Sequence, residues 1–374
     1  MVFYLFLLTQ RPNTGNIPSM RGTCVALLAL LVVAAPAAVQ AQFEYATNAD
    51  GISITITNYG GAGGAVTIPT NINGLTVINI GSNAFQLCSN LTSVTIPASV
   101  NGIGQEAFST CINLANVTLF NGITSIGYGA FFGCYNLTNL TIPASVTSIG
   151  EQAFLGTGLT SVTIPGGVTN IADFAFDFCM KLTNVTMSYG VTCIGQVAFA
   201  FCSSLVSVTI PASVTSISNA AFNYCTNLTS LTIPASVTNI NYSAFAECSN
   251  LTSVFFTGNS PTVASSNVFS DDTHATAYYL PGTTGWSSSF AGLRAVQWNP
   301  LIQAGGGSFG LSNNQFGFNI TGTTNIPFVV EACTNLASPV WTPLQTLNLT
   351  NGSFYFSEPF QPNSSGRFYR ISSP

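Results

Sequence analysis

The chain has 374 residues, only 5% of them charged, with a formal net charge of −5 and 47% hydrophobic side chains. Six Lys and Arg cannot form the basic cluster that phosphate neutralisation requires, so nucleic acid is excluded as a partner class. After residue 41 no apolar run approaches the ~20 residues that cross a bilayer, so no membrane span is expected, and Thr, Ser and Asn must keep the surface wet in place of charge.

The N-terminus carries the run "MRGTCVALLALLVVAAPAAVQA" from Met20: a basic start, a short apolar stretch, then small residues. This pattern predicts a secretory signal peptide over 1–41, with Met20 the more natural start and cleavage after Ala41. The mature protein is therefore expected outside the cell, secreted or held at its surface. No Cys follows the cleavage point, which argues against a lipid anchor. Residues 42–79 contain "GISITITNYGGAGGAVTI", which predicts an N-terminal β cap made of a strand, a Gly-rich turn and a second strand.

From residue 80 the chain repeats itself. The phrase "AF" places Phe85, Phe108, Phe131, Phe154, Phe176, Phe199, Phe222 and Phe245 at steps of 23, 23, 23, 22, 23, 23 and 23, with a looser copy ending at Phe269. A period in the twenties marks a solenoid, in which each coil buries its apolar side by stacking on its neighbours. Leucines keep the same register (Leu91, Leu114, Leu137, Leu159, Leu182, Leu205, Leu228, Leu251), followed by Val or Leu three residues on and Ile, Leu or Met after two more. That spacing alternates inward and outward side chains at its end, as a strand does. Pro97, Pro143, Pro165, Pro211 and Pro234 stop the strand, because proline cannot donate to a ladder. The segment "IGxxAFxxC" then turns back on the convex side as a short helix or turn, its Phe filling the space between coils.

The phrase "SIGxxAFxxCxNLTSVTIPASV" resembles the BspA-type leucine-rich repeats of bacterial exported and surface proteins, over about residues 65–270. The resemblance implies a right-handed curved solenoid and a role in adhesion or partner binding. The fold expected is thus mainly β: a leucine-rich-repeat solenoid of about eight 23-residue coils over 80–299, then a small antiparallel β-sandwich over 300–374. In "AFLGTGLT" a residue is missing between Phe154 and Leu159, which predicts a tighter convex turn. Near residue 270 the period drifts, and Tyr278, Tyr279, Trp286 and Trp298 are expected to close the last coil. Beyond Pro300 come short β-rich runs such as "GFNITGT", "PFVVEAC" and "SFYFSEPF". The ending "GRFYRISSP" resembles a β domain at the C-terminus of many exported bacterial proteins.

Candidate chemistry is sparse. Cys88, Cys111, Cys134, Cys179, Cys202, Cys225 and Cys248 each lie three residues after a repeat Phe, with Thr157 in the slot of the short coil. They form a row rather than converging on a point as metal ligands do, and parallel side chains bridge poorly, so buried free thiols are expected. Cys193 breaks the row as a candidate exposed thiol, and Cys333 belongs to the terminal domain. His274, with Asp271 and Asp272, reads as a polar loop more readily than as a weak cation site. Glu106, Glu151, Asp173, Asp177 and Glu247 fall mainly on the turns, where solvated charge is expected. No G-x-S-x-G elbow and no pair of carboxylates across a cleft is apparent, so neither an enzyme nor a cofactor is expected.

The candidate partner-binding face is the outward side of the long strands: Ser93, Thr95, Asn116, Thr118, Asn139, Thr141, Ser161, Thr163, Asn184, Thr186, Ser207, Thr209, Ser230 and Thr232. This nearly uncharged ladder fits an extracellular protein or glycan, although Thr also suits exposed strands by propensity alone. A structural spacer carrying the terminal domain is the alternative. Ice binding is less expected, given the mixed Ser and Asn column and a curved face. A hydrolase is the most remote reading.

Overall fold

The computed structural model describes residues 42–272, 274–304, 309–359 and 367–373, and the expected signal segment lies outside them. It is a β-solenoid of about ten turns of about 23 residues, followed by antiparallel sheets. Two parallel ladders run along the stack. The first joins the long strands: Gly64–Thr67, Leu91–Ile96 and Asn116–Leu119; then Ser161–Ile164, Asn184–Met187 and Ser207–Thr209; then Ser230–Ile233, Ser253–Phe256, Thr276–Tyr279 and Leu293–Gln297. The second joins two-residue strands from Gly102–Ile103 to Ser148–Ile149, and again from Asn170–Ile171 to Thr262–Val263.

The "AF" segments are turns, and the short helix allowed for by the sequence is absent from them; the described helix is one 3-10 turn, Ser266–Phe269. They nevertheless bond from coil to coil. Phe85 N–H donates to the Ala107 carbonyl, Phe108 to Ala130 and Phe131 to Ala153, at 2.7–2.8 Å. From Phe85 to Phe222, residues two before and two after each Phe also donate forward, as Asn83 does to Gln105 and Leu87 to Ser109. They do so from left-handed backbone, φ 60° at Asn83 and 61° at Leu87. Such a conformation costs an L-residue roughly 1–2 kcal/mol, which each inter-coil bond and the burial beneath it offset. Gly133 and Gly156 hold this position without strain, whereas Phe178, Phe201 and Tyr224 accept it.

Inside, the Phe rings form one pile. Phe85 through Phe245 are fully buried and stack at 4.8–5.4 Å, nearly parallel. Tyr59 stacks on Phe85 at 4.9 Å as the first ring, and Phe43 on the antiparallel strand Phe43–Thr47 covers it. Leu, Val and Ile of the strand columns complete a continuous interior with these rings. Burial of each large side chain is worth about 1.5–3 kcal/mol.

The short coil breaks both ladders. Ser148–Ile149 ends one sheet and Asn170–Ile171 begins another, while Asn139 keeps a single bridge to Asn116 and none to Ser161. The expected tighter turn is not found. Phe154 N–H still reaches the Ala175 carbonyl at 2.8 Å, Gly156 reaches Asp177 at 2.8 Å, and Phe154 stacks on Phe176 at 5.1 Å. The residue is missing at the corner after the turn, opposite Tyr135 and Met180 of the flanking coils. Gly158 cuts that corner so closely that a Cβ would collide with the Tyr135 carbonyl. Removing one residue takes up about 3.3 Å of chain; Thr160 N–H still reaches the Thr138 carbonyl at 3.3 Å, but Ser161–Ile164 pairs only forward, with Asn184–Met187.

The terminal strands form two antiparallel sheets, Leu301–Gln303, Gly310–Ser312, Gln315–Thr321 and Ser353–Pro359 in one, Pro327–Cys333, Thr342–Asn348 and Phe368–Ser372 in the other. Their core of Phe318, Ile320, Phe328, Val330, Leu349 and Phe356 also includes Phe255 and Tyr278 of the solenoid. The expected aromatic closure is therefore split. Trp286 stacks on Tyr279 at 4.9 Å and packs on Phe256 and Phe290 at the end of the stack. Tyr278 and Trp298 instead face the terminal sheets, where Trp298 Nε1 donates to the Pro327 carbonyl at 2.7 Å.

Candidate binding face

Strand alternation sends Val94, Val117, Val162 and Val185 inward and the fourteen candidate residues outward. Asn116, Thr118, Asn139, Thr141, Ser161, Thr163, Asn184, Ser207 and Thr209 are exposed, and Ser93, Thr95, Thr186, Ser230 and Thr232 half-buried. Parallel pairing sets like beside like, Thr95 opposite Thr118 and Thr163 opposite Thr186, itself opposite Thr209. Breaks in the ladder divide the face between Asn139 and Ser161 and again between Thr209 and Ser230. Next to the first a hollow of about 370 Å³ opens over Asn116, Thr118, Leu119, Asn139 and Thr141.

Other Thr and Asn columns have a different occupation. Thr124, Thr147, Thr192, Thr215, Thr238 and Thr262 each donate Oγ1–H to a carbonyl of the preceding coil, at 2.9–3.4 Å. Asn113, Asn136 and Asn250 donate Nδ2–H in the same direction at 2.7–2.9 Å. These side chains tie coils together. By contrast, Thr186 Oγ1 of the candidate face bonds only locally, to Asn184 Oδ1 at 3.5 Å.

At its C-terminal end the face changes character. The register runs from Thr232 to Phe255 and on to Tyr278, so two aromatic rings stand where hydroxyls stood, stacked at 5.1 Å. These are the rings the terminal sheets cover. A signal for this was present in the sequence, since Phe255 and Tyr278 continue the Thr column at steps of 23 residues.

The remaining candidates are dispersed. The described cysteines are unbridged, and those of the row from Cys111 to Cys248 donate Sγ–H to the Phe carbonyl of the coil before, at 3.0–3.3 Å. Burial pushes the Cys111 and Cys179 thiols up to about 12. Cys193 is half-buried and receives the Ser216 hydroxyl at 3.3 Å, and Cys333 is buried. Two acids are buried against expectation, one from the turns and one from the polar loop. Asp177 is 5% exposed, and burial raises its carboxyl to about 6. Asp272, read in the sequence as part of a polar loop with His274, is 2% exposed while His274 is exposed, and it stands three residues after Phe269, the slot the cysteines occupy in earlier coils. Burial raises it to about 8, with Glu247 and Asp271 adding to the displacement. Among the described residues no group of three or more His, Cys, Asp or Glu side chains gathers as metal ligands. Nor is any described helix long and apolar enough to cross a membrane.

Residues 66–183 and 147–276 match the BspA type leucine rich repeat region, in six copies that together span more than half of the chain. The chain belongs to that family. Among solved structures, this BspA-type chain is similar to a leucine-rich repeat protein from Bacteroides ovatus, at 25% identity over 64% of this chain and 70% of that one, with a TM-score of 0.51. A leucine-rich repeat protein of T. pallidum matches at 32% identity over 44% and 88%, with a TM-score of 0.36. A leucine rich cell surface protein from Faecalibacterium prausnitzii matches at 25% identity over 65% and 94%, with a TM-score of 0.31. No curated protein matches the sequence. The BspA-type solenoid is a scaffold consistent with a binding or a structural role.

Proposed function

We propose that this BspA-type protein is exported and non-enzymatic, and that it docks an extracellular protein or glycan on the outward face of its long strands. One observation carries the reading: Thr, Ser and Asn stand there in register, uncharged, while neighbouring Thr and Asn columns are committed to inter-coil bonds. Hydroxyls and amides held at strand spacing offer donors and acceptors at a repeat of about 4.8 Å. The same face already seats β structure at its far end, through Phe255 and Tyr278. Export is supported by the apolar N-terminal run before Ala41 and by the polar, nearly uncharged surface. The dispersal of His274, Asp177 and Asp272 supports a non-catalytic role.

The test is binding of the mature chain to immobilised glycans and matrix proteins, beside a variant with Thr118→Val, Thr141→Val and Thr163→Val. A hit that the triple variant loses supports the reading, and a hit it retains moves the contact elsewhere. The second reading, a spacer, is favoured by the firm junction at Trp298 and the Phe255–Tyr278 stack. It requires that no hit appear and that the variant differ only in solubility.

A further inference from the structure

The corner where the short coil lost its residue leaves a gap on the surface. Gly156 takes the left-handed position that Phe178 fills in the next coil, and nothing stands between Tyr135 and Met180, whose column has no member in the short coil. The result is a cleft of about 430 Å³ lined by Tyr135, Leu155, Gly156, Gly158, Phe178 and Met180. Its rim residues are unusually apolar for this surface: Tyr135 is 59% exposed, Met180 54% and Phe178 41%. Phe178 stacks on Phe201 at 4.5 Å on the side away from the gap, and Phe201 on Tyr224 at 4.8 Å, so the wall is braced. Thr157 at the base spends its hydroxyl on Cys179 Sγ at 3.2 Å, and Asn136 spends its amide on the Ile112 carbonyl at 2.9 Å. The cleft therefore has few free polar groups, too few for a sugar ring.

Lys181 lines the same cleft. It is the only lysine of the chain, and no other Lys or Arg occurs between residue 42 and Arg294. It stands in the column where Asn113, Asn136 and Asn250 tie to the preceding coil, and neither ion pair among the described residues involves it. A solitary exposed ammonium beside an apolar slot is complementary to a ligand with one flat apolar part and one anionic group.

We propose that this cleft binds an aromatic carboxylate, its ring between Phe178 and the Tyr135 ring that lies against Gly156, its carboxylate on Lys181 Nζ. Ring stacking and apolar burial supply the attraction, and the charge-assisted bond selects the acid over its neutral amide. The site lies at the corner beyond the turns and does not involve the strand-face residues, so its fate is independent of the docking role above.

Methionine is scarce enough to report on it: beyond residue 41 the chain has only Met180, in the cleft, and Met187, buried in the core. With methyl-labelled methionine in the mature chain, indole-3-acetate is expected to shift the Met180 methyl resonance saturably and leave Met187 in place. Indole-3-acetamide should bind about tenfold more weakly, as should the acid to Lys181→Gln, the loss of one charge-assisted bond. Gly156→Phe, which copies Phe178 into the gap, should abolish the shift while Met187 keeps its native position. A Met180 methyl that does not respond at millimolar indole-3-acetate would overturn the proposal. So would equal binding of the amide, or a response that survives Gly156→Phe.

Discussion

Substituting Asp272→Asn tests how the last coil is closed. In the coils before it, a thiol in this slot donates to the preceding Phe carbonyl, as Cys248 Sγ does to Phe222 at 3.2 Å. Asp272 stands in that slot in the last coil, where no thiol is present and an ionised carboxylate has no proton to give to a carbonyl. Both Asp272 oxygens are buried with no well-formed hydrogen bond; the Cys248 N–H beside them favours the ionised form, but burial outweighs it and raises the carboxyl to about 8. The sign follows directly. An unfolded Asp releases its proton near 3.9, so between about pH 4 and pH 8 the folded state holds a proton that the unfolded state has lost. Stability therefore falls as pH rises through that window. At about 1.4 kcal/mol per tenfold change in proton affinity, and with solvent screening at the coil end, the loss amounts to roughly 2–4 kcal/mol. Asn keeps a donor and cannot ionise, so it escapes this loss. Urea unfolding from pH 4 to pH 9 should show the two proteins alike at pH 4. The variant should pull ahead by about 2–4 kcal/mol at pH 8.5. A difference between them that stays flat with pH would mean that Asp272 ionises normally and is hydrated.

Phe131→Ala removes a fully buried ring stacked on two others and should cost about 3–5 kcal/mol in reversible melting; a cost below about 1 kcal/mol would remove the Phe pile from the core. Iodoacetamide on the native protein should modify Cys193 and Cys88, the half-buried thiols, while Cys111, Cys134, Cys179, Cys202, Cys225 and Cys248 react only after unfolding. Non-reducing mass spectrometry should find no disulfide within this row. Trp298→Phe loses the 2.7 Å bond to the Pro327 carbonyl and should destabilise the junction by about 1–2 kcal/mol, read as faster proteolysis between the solenoid and the terminal sheets.

The interior was legible because stacking forces the same inward residue types to return every 23 positions, and Phe, Leu and Ile return so. Tyr59 falls outside the period because it precedes Phe85 by 26 residues, the added chain lying in the Asn71–Ile72 hairpin. The polar columns were harder, since an exposed Thr that ties two coils and one that faces solvent look alike in sequence. Thr192 and Thr186 differ only in where the backbone directs the hydroxyl. The period drifts at Asp272, so the sequence there looks like a loop; its burial depends on the coil persisting one step past the last clear repeat. The missing residue was visible, but its effect depends on which of three inter-coil ladders could absorb it. The turns and the Phe pile absorbed it and the strands did not.

That uneven absorption sets how the molecule comes apart. In a stack where each layer touches only its neighbours, cooperativity passes through every interface in turn, and the weakest one decides where it stops. Between the layers at Ser148–Ile149 and Asn170–Ile171 both strand connections are interrupted. Amide exchange should therefore report two blocks with separate opening energies, the C-terminal one steadied by the sheets on Phe255 and Tyr278. A pull along the stack would part it at this seam first.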